Sequence, residues 1–185
     1  MLKEIGTKVI ETNRLILRKF TIDDVENVYN NWTSDVKANE FLSWNIHENK
    51  EVTLEEVKKI LKEYEDPYVF NWVVELKETK EIIGNIKTAK IKVNGDICEI
   101  GFCYGSKFWG NGYGAEALKE VLKFLIKEVG FRLVEGWCTS DNPASEKVMI
   151  NAGMQKEAVL RKRKINKVTK MISDYIIYSI TREEL

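Results

Sequence analysis

Four glycines fall between positions 105 and 114, in the segment Gly105-Ser-Lys-Phe-Trp-Gly110-Asn-Gly112-Tyr-Gly114-Ala115-Glu-Ala117. No other stretch limits the fold as tightly. The residues before it, Ile97 to Tyr104, read as a strand. The residues after it place Leu118, Val121, Leu122, Leu125 and Val129 on one helical face, and Gly130 caps that helix. The glycines therefore sit on a turn from strand into helix. Glycine lets successive backbone N–H groups face one point, and a helix N-terminus adds positive potential. Such a turn suits a phosphate or diphosphate.

The flanking pattern predicts what surrounds this turn. Arg14 to Phe20 reads as a strand with Leu15 and Leu17 on one face. Thr21 and Asp24 have capping-box spacing, with Phe20 and Val25 as a hydrophobic staple, so a helix is expected from Thr21 to about Trp32. A short helical stretch is expected over Asp35 to Leu42. The capping device recurs at Thr53 and Glu56, with Val52 and Val57 as staple, and predicts a helix from Thr53 that ends at Asp66-Pro67. Strands over 70–77, Ile82 to Val93 and Ile97 to Tyr104 make a meander, with Asn94-Gly95 as a hairpin signal. Gly101 inside the third strand suggests a bulge or a close backbone approach. Leu133 to Thr139 is a further strand. Asn142-Pro143 starts a helix that Gly153 ends. Strands over 155–164 and 170–180 close the chain as a hairpin across Asn166-Lys167. These strands number seven, in a mixed α/β sheet with helices on both faces. The unit from Ile97 to Thr139 is expected to be a parallel crossover.

Bulk properties exclude several classes. The 185 residues suit one domain spanning 1–185, and 44% hydrophobic with 31% charged residues is globular composition. Lys plus Arg equals Asp plus Glu at 29 each, which argues against a nucleic-acid partner. No apolar run reaches the roughly 18 residues of a membrane helix, and no apolar stretch follows the charged N-terminus, so a cytoplasmic protein without a membrane partner is expected. Cys98, Cys103 and Cys138 then fit reduced thiols. They lack C-x-x-C spacing, so no metal is expected.

Three loop families compete for the glycine segment. A Walker loop fails, because Asn111-Gly112 stands where Lys-Ser/Thr is required. A dinucleotide fingerprint fits Gly110-x-Gly112-x-x-Ala115, with Glu135 twenty residues beyond Ala115. However, its glycines should sit directly on the strand end, and Tyr104 lies some residues earlier. The third family cradles the diphosphate of coenzyme A.

In that third respect the chain resembles the GNAT acetyltransferase superfamily, in its RimJ/RimL-type branch. The carriers are Glu11-Thr-Asn-Arg-Leu-Ile-Leu-Arg18, Ile83-Gly-Asn-Ile86, Glu99-Ile-Gly-Phe102, Phe108-Trp-Gly-Asn-Gly-Tyr-Gly-Ala-Glu-Ala117 and Thr139-Ser-Asp-Asn-Pro-Ala-Ser-Glu-Lys-Val148. Ala152-Gly-Met154 and Asp174 to Tyr178 complete them. The resemblance implies a GNAT fold whose sheet splays between the strands at 97–104 and 132–139, and acetyl-CoA as co-substrate. It places the pantetheine arm on Phe102, Cys103 and Tyr104, and the diphosphate on the segment Trp109, Gly110, Asn111, Gly112, Tyr113, Gly114 and Ala115. Asn142 would bond the pantetheine side. Ser145 would approach the sulfur and protonate the leaving thiolate, though the same residue also fits simple capping by Asn142. Glu99 would act through water as general base, and a backbone N–H at Gly101 would meet the oxyanion. Some RimL-like members carry a glutamate base on the strand after the Gly-Met turn; this chain departs from that pattern and reads Arg161-Lys-Arg-Lys164 there, so the resemblance leaves the base open. The implied reaction is acetylation of a primary amine, on a small molecule or a protein N-terminus, by direct attack in a ternary complex. Homodimers occur in the family. An NAD(P)-binding protein and a non-catalytic acyl-CoA sensor are the alternatives.

Other features invite blander readings. Cys103 reads as a buried thiol, since the only histidine, His47, is distant in sequence. Phe41, Trp44, Tyr68 and Trp72 could line an acceptor site or the core. The basic run Arg161 to Lys170 could meet an acidic acceptor, the ribosome or the coenzyme's 3′-phosphate, or be a solvated hairpin.

Overall fold

The computed structural model describes residues 2–42, 44–92 and 96–185, so the Asn94-Gly95 turn lies outside the described residues. Its strands are β1 (Ile10–Glu11), β2 (Leu15–Arg18), β3 (Asn71–Leu76), β4 (Ile82–Lys92), β5 (Ile97–Tyr104), β6 (Leu133–Thr139), β7 (Gln155–Ile165) and β8 (Ile172–Thr181). The helices are α1 (Val25–Val28), α2 (Val36–Asn39), α3 (Lys50–Glu63), α4 (Tyr113–Lys123) and α5 (Pro143–Asn151). Hydrogen bonding orders the strands β1-β2-β3-β4-β5-β6-β8-β7 in one mixed sheet. That is eight strands rather than the expected seven. The extra one, β1, pairs Ile10 with Leu17 and Glu11 with Ile16, and two residues are too few to show a period.

The chain groups into two compact units. The first comprises residues 4–87 and 102–113. Here Phe20, Val28, Trp32, Val57, Ile60, Val73, Ile82 and Cys103 form a core under α1 and α3. The expected helix after Thr21 is segmented: a 3₁₀ turn at Ile22–Asp24, then α1, then a π turn at Tyr29–Thr33. Asp24 does accept the Thr21 N–H at 2.7 Å, and it also takes a two-pronged bond from the Arg18 guanidinium. Helix α3 begins three residues earlier than expected, because Asn49 caps it by accepting the Val52 N–H at 3.1 Å. Thr53 is therefore inside the helix and fully buried. Its hydroxyl lies 3.0 Å from that of Thr33 and 2.8 Å from His47 Nδ1. Thr33 gives its own proton to the Val28 carbonyl, so the relay runs from His47 Nδ1–H through Thr53 and Thr33 to Val28. Trp72 belongs to the core rather than to an acceptor wall: it is fully buried, and its Nε1–H donates to the Lys8 carbonyl.

The second unit comprises residues 88–101 and 114–185 with the N-terminal residues to Lys3. β5 pairs with β6 in parallel, as the crossover predicts. Val134, Gly136 and Cys138 alternate inward along β6, and a Cβ on Gly136 would press on Met149 of α5 at 3.2 Å. The opposite parity, Leu133, Glu135, Trp137 and Thr139, is half-buried. Helix α4 continues into a π turn, Phe124–Val129, which Gly130 ends at φ +105°. Asn166 closes the β7–β8 hairpin by accepting the Val168 and Thr169 N–H groups.

Candidate active site

In the first unit the glycine loop is fastened at its entry and held open along its length. Gly105 has no room for a side chain, since a Cβ would lie 2.0 Å from the Asn31 carbonyl oxygen. Asp35 caps α2 with one carboxylate oxygen and accepts the Ser106 N–H at 2.7 Å with the other. Burial raises the Asp35 pKa, yet the bonds from Ser106 and from the α2 N–H groups outweigh it and hold the carboxyl below its usual range. The Trp109 indole donates to the Tyr104 carbonyl at 2.8 Å. Asn111 Nδ2 donates to the carbonyls of Phe108 and Trp109 at 3.0 and 3.2 Å, and Arg14 donates to the carbonyl of Asn111 at 3.0 Å. Gly110 and Gly112 take φ of +81° and +79°, the left-handed region that glycine enters without steric cost. The outcome is a turn in which side chains hold the carbonyls of Tyr104, Phe108, Trp109 and Asn111. Among the described residues, the N–H groups of Gly110, Asn111 and Gly112 have no acceptor. The first N–H groups of α4, from Tyr113 through Gly114 and Ala115, follow them directly and have no intrahelical acceptor either.

The strand leading into this loop is packed closely. A Cβ on Gly84 of β4 would lie 2.2 Å from the Cys103 carbonyl oxygen. Phe102 is half-buried, while Cys103 and Tyr104 are buried. Burial pushes the Cys103 thiol up to about 12, so Cys103 offers backbone and not a nucleophile. His47 bonds Thr53.

In the second unit, Glu99 stands on β5 directly opposite Glu135 of β6. The β5–β6 ladder covers Ile97–Glu99 against Leu133–Glu135, and β6 runs on to Thr139. Trp137, two residues past Glu135 on the same face, donates its indole N–H to Glu99 Oε1 at 2.9 Å. Lys92 pairs with Glu135 and lies 3.9 Å from Glu99 Oε2. Tyr175 of β8 stacks on Trp137 with centroids 4.6 Å apart, and Lys164 of β7 sits 4.9 Å from the same indole. Burial first, then the Glu99 and Glu135 carboxylates, raise the Tyr175 hydroxyl pKa. Gly101, past Glu99, faces open space: a Cβ there would meet nothing within 4 Å.

Also in this unit, Asn142 caps α5 by accepting the Ser145 N–H at 3.1 Å, as its spacing predicts. That use of Oδ1 leaves the amide Nδ2 as a donor, and the Ser145 hydroxyl, half-buried, has no partner among the described residues. The rest of this helix mouth is structural, with Glu146 held between the Tyr178 hydroxyl and Lys156.

Sequence reasoning missed Arg14, Trp137 and Tyr175. A usable signal existed for Trp137, since parallel strands preserve parity and Glu99, Glu135 and Trp137 share it. No local signal ties Arg14 to a loop 97 residues away. The dinucleotide reading loses its topology, because a 3₁₀ turn at Ser106–Phe108 separates β5 from Gly110 and the strands after β6 are antiparallel. No group of three or more His, Cys, Asp or Glu among the described residues is placed to hold a metal, and no described helix is long and apolar enough to cross a membrane.

The chain is similar to known proteins in sequence and in fold. YoaA of Bacillus subtilis (strain 168), an uncharacterized N-acetyltransferase, is 27% identical over 174 residues, covering 94% of this chain and 97% of its own. A GNAT-family acetyltransferase of Bacillus anthracis superposes with a TM-score of 0.81 at 26% identity, over 95% of this chain and 99% of that one. RimL, a ribosomal L7/L12 alpha-N-protein acetyltransferase in complex with coenzyme A, reaches a TM-score of 0.81 at 18% identity, over 94% and 98%, a likeness of fold alone. The model of the acetyltransferase (GNAT) domain matches residues 14–155, a span that takes in β2, the glycine loop, α4 and α5. This chain therefore belongs to the GNAT acetyltransferase family and is an acetyltransferase.

Proposed function

We propose that the chain transfers the acetyl group of acetyl-CoA to a primary amine, on a small molecule or a protein N-terminus, by direct attack in a ternary complex. The observation that carries this reading is the loop itself, in which side chains hold the carbonyls of Tyr104, Phe108, Trp109 and Asn111 while the N–H groups of Gly110, Asn111 and Gly112 lead into the N-terminus of α4. Such a row of donors at a helix mouth suits a diphosphate. In this reading Trp109 holds the loop's shape, and the N–H groups from Gly110 through Ala115 hold the diphosphate. The backbone of Phe102, Cys103 and Tyr104 pairs with the pantetheine arm, and Asn142 donates its Nδ2 to that arm.

The chemistry needs a neutral amine, a stabilised oxyanion and a protonated leaving thiolate. Glu99, acting through water, takes the proton from the incoming ammonium. The amine nitrogen then bonds the acetyl carbon and the carbonyl π pair moves onto oxygen, where the backbone N–H of Gly101 meets it. Collapse breaks the carbon–sulfur bond, the Ser145 hydroxyl gives a proton to sulfur, and the proton that the nitrogen sheds as the amide forms returns through water to the Ser145 oxygen. The open space at Gly101 and the half-buried Ser145 hydroxyl support these assignments. The buried thiols argue against an acyl-enzyme.

The test is thiol release from acetyl-CoA against a panel of peptide N-termini, polyamines and aminoglycosides, beside calorimetric titration with acetyl-CoA and NAD. Release with at least one amine and binding of acetyl-CoA are expected. Binding without release across the panel would point to a sensor, and binding of NAD in place of acetyl-CoA would overturn the loop assignment.

A further inference from the structure

Arg14 lies far from the glycine loop in sequence, yet the fold brings it there by a rigid route. Its carbonyl accepts the Lys77 N–H at 2.9 Å, and the next residue, Leu15, is in register with Leu76, so the backbone at the head of β2 is fixed by β3. From that base its Nη1 donates to the Asn111 carbonyl at 3.0 Å. The guanidinium carbon stands 4.5 Å from the centroid of the Tyr113 ring, and Nη2 would lie 3.6 Å from a Cβ on Gly112. Three consecutive loop residues, Asn111, Gly112 and Tyr113, are therefore gauged against one planar cation.

The consequence follows from peptide geometry. The Asn111 carbonyl and the Gly112 N–H belong to the same peptide unit, and in a trans peptide they point in opposite directions. No cis peptide bond occurs among the described residues. Fixing the carbonyl therefore aims the N–H away from Arg14. Asn111 Nδ2 does the same for the preceding glycine, since it holds the Trp109 carbonyl and so aims the Gly110 N–H. The glycine φ values make the turn accessible, and the side-chain donors select the orientation of the Trp109–Gly110 and Asn111–Gly112 peptide planes.

We propose that Arg14 is a positioning residue for coenzyme binding: by holding the Asn111 carbonyl and stacking on Tyr113, it presents the Gly112 N–H to the coenzyme's diphosphate. This inference rests on the loop being the diphosphate site. Planarity matters as well as charge. Arginine can hydrogen-bond a carbonyl while stacking on a ring, whereas lysine is a point charge on a flexible stem.

The test is the dissociation constant for coenzyme A and for 3′-dephospho-coenzyme A, by calorimetry, on the wild type, Arg14→Ala, Arg14→Lys and Gly112→Asp, with thermal midpoints of the unliganded chains. Arg14→Ala is expected to weaken both ligands equally, by roughly tenfold or more. Arg14→Lys should recover only part of that affinity, with a thermal midpoint close to wild type that excludes a merely structural effect. Undiminished affinity in Arg14→Ala would overturn the proposal. So would full rescue by lysine, since charge alone would then suffice. A loss confined to the ligand bearing the 3′-phosphate would also overturn it, because the contact would be with that group. Unchanged affinity in Gly112→Asp would instead overturn the loop assignment beneath it.

Discussion

Replacing Gly112 separates backbone strain from charge. Its φ of +79° is a conformation in which a side chain costs about 1–2 kcal/mol. Steric contact adds little, because a Cβ would meet Arg14 Nη2 at an ordinary 3.6 Å. Gly112→Ala should therefore lose about 1–2 kcal/mol in total. The loss appears as lower stability if the empty loop keeps its shape, and as roughly 5–30-fold weaker acetyl-CoA binding if the loop relaxes and must be restored. Asparagine tolerates the left-handed region better than alanine, so Gly112→Asn should lose less. Gly112→Asp has the same shape as Asn and adds a charge. At about 5 Å from a phosphate charge and an effective dielectric near 20, the repulsion is about 3 kcal/mol, or roughly two orders of magnitude in affinity. Calorimetric titration of the three variants, with thermal midpoints, gives both quantities. Equal affinities for Asn and Asp would refute the claim that an anion sits at this peptide. Wild-type affinity in all three would refute the loop as the binding element.

Three further outcomes are expected. Glu99→Gln keeps an oxygen that can accept the Trp137 N–H, so binding of coenzyme A should persist while turnover falls, mainly at low pH where the amine arrives protonated; a wild-type pH–rate profile would remove Glu99 as the base. Thr53→Val should destabilise the chain by about 1–2 kcal/mol in urea unfolding, because it strands the His47 and Thr33 partners of a buried hydroxyl; an unchanged midpoint would contradict the relay. Burial pushes the Cys103 thiol up to about 12 and the Cys138 thiol up to about 11. Since the unfolded thiol titrates near about 8.5, stability should be complete below that pH and decline as pH rises through the folded values. Urea midpoints that hold constant up to about pH 10 would refute this.

The site was legible where a local rule decides it, and hidden where a distant partner does. β5 and β6 have their expected bounds because turn residues flank clear strand patterns. The Asn142 cap formed because every part of it lies within three residues. The start of α3 was misplaced, because the capping pattern at Thr53 points there while Asn49 supplies the cap and the Thr53 hydroxyl is engaged with buried Thr33 and His47. Arg18 and Arg14 belong to one short motif yet serve different ends. Arg18 clamps Asp24 and Glu75 within the fold, while Arg14 reaches the glycine loop. Only the three-dimensional register of β2 on β3 separates those roles.

That separation bears on why a glycine count alone is a weak sign of an anion site. A flexible turn presents carbonyls as readily as N–H groups, and a carbonyl facing a phosphate is repulsive. Four peptide units of this loop escape that ambiguity because Trp109, Asn111 and Arg14 hold the carbonyls of Tyr104, Phe108, Trp109 and Asn111. Three of these bonds come from two residues inside the glycine segment, and one comes from Arg14, just before β2. The loop is thus ordered before any ligand arrives, and the entropy of fixing it falls on folding rather than on binding. Removing the internal donors, for example by Asn111→Ala, should consequently cost affinity, since that side chain holds the Phe108 and Trp109 carbonyls. If Asn111→Ala bound coenzyme A as tightly as the wild type, the anion would be selecting the peptide orientations itself, and preorganisation would have no part in this site.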